Sequence, residues 1–211
     1  MALLQSLGAK TTPVVSKGDQ FVFAQSIGDV ADFLGLNVDT RPVLSPAELV
    51  AKYDMIMEVA VRHIRQIPDD KLGGKILHRD RTYRELTYHI FRIAEALMDT
   101  ANGSKLTVSY YDDNPPADMQ TVEQIASFGE DVRSRLNACW EAYPHKNGEA
   151  LVNTYFGNKP LHEMLEHSTW HSGQHGRQIV MAMGEFMGIA ADNPLTANNY
   201  AGLPMPEKAW D

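Results

Sequence analysis

Helix-start signals recur along this chain and constrain its fold more than any other feature. Ser45-Pro46-Ala47-Glu48 combines a capping hydroxyl, a proline at the first helical position and a glutamate three residues after the cap. Thr82-Tyr83-Arg84-Glu85 is a second capping box, and a third start falls around Thr121-Val122-Glu123-Gln124. A helical stripe of apolar residues follows each one. Leu49, Tyr53, Ile56, Met57, Ala60 and Ile64 form the first stripe, which ends before Pro68. Leu86, His89, Ile90, Ile93 and Leu97 share one face of the second, which stops near Asn102-Gly103. Ile125, Phe128, Val132, Leu136 and Tyr143 carry the third until Pro144 interrupts it. A fourth helix starts near Pro160 and runs toward Gly188, long enough at about 1.5 Å per residue to cross the whole domain. The expected fold is mainly α, a four-helix bundle whose connecting loops, roughly 15 to 20 residues each, are long enough to help build a site.

The front of the chain reads differently. Thr12-Pro13-Val14-Val15 and Gln20-Phe21-Val22-Phe23 have strand character around the turn Ser16-Lys17-Gly18-Asp19, and a short helix opens at Ser26 with Asp29 in its first turn. A hairpin and one helix bury little surface alone, so residues 1–40 are expected as an appendage packed on the bundle, residues 41–211, or on a second copy. The tail after Gly188, with Pro194, Pro204 and Pro206, reads as an extended strap over the surface.

With 211 residues, 44% of them hydrophobic, the chain can bury a sizeable core. A formal charge of −8 and the lack of clustered Lys and Arg argue against nucleic acid as a partner. No apolar run approaches the roughly 20 residues needed to span a bilayer, and no signal pattern opens the chain, so a cytoplasmic protein with no membrane partner is expected. The single cysteine, Cys139, excludes an intrachain disulfide; on the same helical face as Leu136 and Tyr143, it reads as a buried, inert thiol.

The chemistry is concentrated in the fourth helix, where His167, His171 and His175 recur every four residues. Imidazoles at i and i+4 project from successive turns in one direction and can grip one divalent ion at about 2.0–2.1 Å. His167 and His175 are separated by about 12 Å of helix axis and about 80° of rotation, which disfavours all three on one ion. An adjacent pair plus a ligand from another helix is the reasonable arrangement, and His89, which interrupts an otherwise hydrophobic stripe, is the best third candidate. His63, His78, His145 and His162 lack partners at ligand spacing and are expected on the surface or in loops. The chain contains neither the Glu-x-x-His of di-iron carboxylate bundles nor the His-Glu-x-x-His of zinc peptidases.

Tyr83-Arg-Glu-Leu-Thr-Tyr-His89-Ile and His171-x-x-x-His175-x-x-Gln178-Ile179 resemble the DinB superfamily of four-helix metalloproteins over about residues 45 to 188. That resemblance implies His89, His171 and His175 as ligands of one divalent metal with open positions for water or substrate. His167-x-x-x-His171-x-x-Gln174 fits the same pattern one turn earlier, so His167 remains an alternative ligand or a supporting residue. Thr12-Pro13-Val14 and the hairpin and helix after it resemble the C-terminal half of a glutaredoxin or thioredoxin fold, without its Cys-x-x-Cys.

Three neutral imidazoles with open coordination suit Zn, Ni or Fe(II). The resemblance implies a metal-dependent, thiol-dependent transferase or isomerase acting on a small molecule, with glutathione or a related low-molecular-weight thiol as cofactor; a homodimer is expected as well. Metal-dependent hydrolysis, or a non-enzymatic dimeric bundle with a structural metal, are the alternatives. No general base stands out. Tyr110, Tyr111 and Asp112 follow the second helix and are candidates to approach the metal, with a solvated loop as the leading expectation.

Overall fold

The computed structural model describes residues 8, 13–76 and 80–210. Thr12, part of the glutaredoxin-like turn, and His78 lie outside the described residues. The chain is mainly helical, with a small hairpin-and-helix unit at its front. Strands β1 (Val14–Lys17) and β2 (Gln20–Phe23) pair antiparallel, with Val14 opposite Phe23 and Lys17 opposite Gln20. The pairing runs two residues further than the expected four-residue turn allowed. Gly18 adopts φ 59° and lets the chain reverse over Gly18-Asp19 alone. Helix α1 (Ile27–Leu34) follows, its first turn capped by the Ser26 hydroxyl.

Helices α2 (Pro46–Ile64), α3 (Tyr83–Ala101), α5 (Val122–Ala142) and α6 (Leu161–Ala182) form the bundle. The first three start one residue after Ser45, Thr82 and Thr121, and each has both halves of the capping box in place. Helix α6 has no side-chain cap at Pro160; it follows directly from a hairpin of β3 (Leu151–Thr154) and β4 (Gly157–Pro160). It ends in a π-helical turn, Met183–Met187, closed by Gly188 at φ 69°.

In the bundle, α3 and α6 pack on each other, α2 packs on α6 and α5, and α5 packs on α3. Leu49, Tyr53, Ile64, Leu86, Ile90, Phe91, Ile125, Leu136 and Ile179 meet in one continuous core. Gly129 permits the close approach of α5 to α3, since a Cβ there would lie 2.4 Å from Phe91 Cζ. Long connections carry structure of their own: a 3-10 turn at Asp69–Lys71, the short helix α4 (Ser109–Asp112) and the β3–β4 hairpin. The hairpin was not expected from sequence. The buried positions of β3, Val152 and Thr154, alternate over only one strand's length, and the hairpin is anchored by Leu106 N–H donating to the Asn153 carbonyl at 2.8 Å.

The front unit packs on the β3–β4 hairpin. Phe23 meets the Tyr155 ring edge-on at 5.5 Å, and Lys159, only 8% exposed, pairs with Asp29 and donates to Ser26 Oγ. Residues 189–210 cross the surface without helix or strand, as a strap. Beneath it the expectation for His63 fails: the side chain is 2% exposed and bonded through Nε2 to the Asp192 carbonyl at 2.9 Å. His162 is half-buried, with Nε2 on the Leu44 carbonyl, while His145 is exposed. Cys139 is half-buried rather than sealed in, with the Asn102 amide against its sulfur.

The helix pair that carries the candidate site is tied by a short polar relay in the core. Ser172 Oγ donates to the Ile90 carbonyl at 2.9 Å, and Tyr53 OH, at 2.9 Å, therefore donates to Ser172 Oγ. Removing the serine hydroxyl leaves the buried phenol without an acceptor. Ser172→Ala is expected to lower unfolding free energy by about 1–3 kcal/mol, and adding Tyr53→Phe should recover part of the loss. Urea denaturation of both single variants and the double variant checks this; strictly additive losses would contradict the relay.

Candidate metal centre

His89 lies on the α3 face that packs against α6, at 3% exposure, one residue before the carbonyl that Ser172 grips. His171 is the residue before Ser172, so the relay sets these two imidazoles in register across the helix pair. One turn further along α6, His175 projects to the same side. Ring centroids lie 5.5 Å apart for His89 and His171, 5.0 Å for His89 and His175, and 4.8 Å for His171 and His175. One ring nitrogen from each of the three falls within 4.8 Å of the others, a group that could hold a metal ion.

His167 is not in that group. Its ring stands 5.5 Å from His171 and 5.4 Å from Trp170. The twist of α6 that aligns the i and i+4 rings carries the i−4 ring around the helix.

The electrostatics favour neutral imidazoles. Burial holds His89 and His171 well below the ordinary histidine value, and the other histidines and the Arg81 cation push the same way. Nδ1 of His89 and Nδ1 of His171 are buried with no hydrogen-bond partner. Nitrogens in that condition lose solvation without recovering it, which is expensive unless a cation or a water takes the lone pair. The donor set thus fits a metal ion for which neutral imidazole is a suitable ligand.

Around the three histidines stand further side chains. Tyr111, on α4, is not in a solvated loop: its ring lies 6.1 Å from His89 and 5.6 Å from His171. Burial raises its phenol, and the neighbouring Tyr155 pushes it further up. Tyr110 turns elsewhere and receives the Arg92 guanidinium on its face at 4.7 Å, and Asp112 is exposed. Gln178, one turn after His175, accepts from His175 Nδ1–H through Oε1 at 2.7 Å. That bond assigns the ring proton to Nδ1 and the lone pair to Nε2. The i, i+3 spacing of His175 and Gln178 was the available signal for this contact. No short-range pattern marks Tyr111 or Tyr155.

Compared with protein-family profiles and with curated proteins, the chain gives no match. Among the described residues, no helix is long and apolar enough to cross a membrane.

Burial lowers the His167 imidazole to about 4. An unfolded chain titrates it near 6.5, so between these values the unfolded state binds more protons. Stability on this account is full above about pH 6.5 and declines as pH falls toward 4. His167→Leu is expected to keep about 2 kcal/mol more of its pH 7 stability at pH 5 than the parent does. Urea denaturation of metal-free protein at the two pH values measures this; equal losses in both proteins would contradict it.

Proposed function

We propose that this chain is a metal-dependent enzyme of the DinB-like type, in which His89, His171 and His175 hold one divalent ion and a low-molecular-weight thiol such as glutathione is the co-substrate. The observation that carries the reading is the convergence of three imidazoles from two helices, His89 buried and His171 and His175 half-buried, with ring nitrogens within 4.8 Å of one another. Three protein ligands suit a centre that keeps a position for substrate, whereas structural zinc closes its sphere with four. A Lewis-acidic ion bound there would bring a thiol's pKa into the neutral range and so supply a nucleophile for transfer or isomerisation.

The chain's own residues then have distinct tasks. Gln178 orients the His175 ring and keeps its proton on Nδ1. Tyr111, its phenol kept protonated at neutral pH by burial, faces His89 and His171 and can donate a hydrogen bond to charge developing on a small-molecule substrate. Tyr155, near enough to push the Tyr111 phenol further up, continues that side as an aromatic wall. The front unit that resembles the end of a glutaredoxin fold reaches the same wall through the Phe23–Tyr155 contact, and this supports glutathione as the first thiol to test.

Protein purified without an affinity tag is expected to carry one divalent ion per chain, and His171→Ala to bind it at least about tenfold more weakly. Elemental analysis and chelator competition measure both. After cobalt substitution, glutathione should shift the visible absorption bands. Absence of stoichiometric metal, or metal retained by His171→Ala, would overturn the centre; cobalt bands indifferent to glutathione would overturn the thiol.

A further inference from the structure

Three side chains on the turn of α6 around His175 reach outward to the last residues of the strap. Gln174 Nε2 donates to the carbonyls of Lys208 and Ala209 at 2.9 and 2.8 Å. Arg177 donates through Nη1 to the Pro206 carbonyl at 2.7 Å and through Nη2 to the Glu207 carbonyl at 2.9 Å. Gln178 Nε2 donates to the Ala209 carbonyl at 2.9 Å. Arg177 also donates to Gln174 Oε1 at 3.0 Å, which holds that amide with its nitrogen toward the strap. Every strap acceptor here is a backbone carbonyl.

Gln178 is bound at both ends of its amide, and the ends are not interchangeable. A carbonyl can only accept, so the Ala209 oxygen selects the NH2 end, and Oε1 is left to face His175. An oxygen facing Nδ1 requires the proton to be on Nδ1. The reverse amide orientation would offer an N–H to Nδ1, move the ring proton to Nε2 and remove the lone pair that faces away from Gln178.

We propose that residues 206–210 are a positioning element of the metal centre: the Ala209 carbonyl orients Gln178, and Gln178 selects the metal-binding tautomer of His175. The inference rests on the three-histidine reading above. Strap docking and metal binding are then coupled, and the coupling is reciprocal, so a bound ion holds the strap down by the factor by which the strap strengthens the ion. The segment can release alone, because the earlier strap has separate anchors. Arg62 donates to the Asn193 carbonyl at 2.9 Å and Lys52 to the Asn199 carbonyl at 2.6 Å.

Three altered chains test this: Gln178→Leu, Gln178→Glu, and a chain ending at Met205. Zinc affinity is read by chelator competition, the His175 tautomer by nitrogen-15 NMR of metal-free protein, and strap release by tryptic cleavage after Lys208. The parent should have His175 protonated at Nδ1, and zinc should slow the cleavage. Gln178→Leu and the shortened chain should bind zinc about 10- to 100-fold more weakly and show a mixture of tautomers. Gln178→Glu keeps an acceptor for Nδ1 but repels the Ala209 carbonyl. It should bind zinc within about tenfold of the parent while its tryptic cleavage becomes faster and indifferent to zinc.

Parent-like zinc affinity in both Gln178→Leu and the shortened chain would overturn the coupling, as would cleavage of the parent that zinc leaves unchanged. If the parent itself binds no zinc, the metal reading fails, and the tautomer decides the strap's part alone. A His175 tautomer identical in the parent and the shortened chain overturns it.

Discussion

The hydrogen bond from Ser172 Oγ to the Ile90 carbonyl fixes the one relationship the site requires, the register of α6 against α3. Its two partners are the immediate neighbours of His171 and His89, so a slip of one helix along the other would separate the imidazoles and break the bond together. Tyr53 reaches the same serine from α2 and makes the relay a three-helix junction. Gly173, the next residue, lets α6 lie close to α2 and the strap: a Cβ there would sit 3.1 Å from Tyr200 and 3.3 Å from Ile56. Three consecutive residues of α6 thus provide a ligand candidate, a helix lock and a packing contact. Polar groups inside a hydrophobic core are costly singly, but a fully satisfied relay specifies one arrangement among many apolar ones.

Burial then sets the chemistry. The same packing that sequesters His89 and His171 strips water from them, holds them neutral and leaves Nδ1 of each without a partner. Arg81 adds a positive potential that disfavours protonation of both rings. Tyr111 of α4 packs against the His89 and His171 rings, and the front unit leans on the β3–β4 hairpin through Phe23 and Lys159. A helix that looks peripheral to the four-helix bundle, α4, therefore contributes to the surroundings of the histidines.

Much of this was legible in the chain because the signals are local. Ser45, Thr82 and Thr121 cap the helices they were expected to cap, since a hydroxyl and a carboxylate or amide three residues later complete their bonds within one turn. His89 stood out as a polar interruption of an apolar stripe, and i, i+4 spacing paired the histidines of α6. What was not legible depends on distant chain. His63 is bonded to the Asp192 carbonyl of the strap, 129 residues later in the sequence. Tyr111 sits in a helix of four residues, too short to show periodicity, and its position follows from packing against α3. Strands β3 and β4, also four residues each, gain their place from the bridge to Leu106 rather than from their own pattern.

The centre itself can be seen directly. Crystals grown from protein carrying its native metal, with data collected on either side of that metal's absorption edge, should give one anomalous peak bounded by His89, His171 and His175, about 2.0–2.1 Å from a nitrogen of each. A peak shared by His167 and His171 with His175 turned away, or no peak between α3 and α6 in metal-replete crystals, would contradict the assignment.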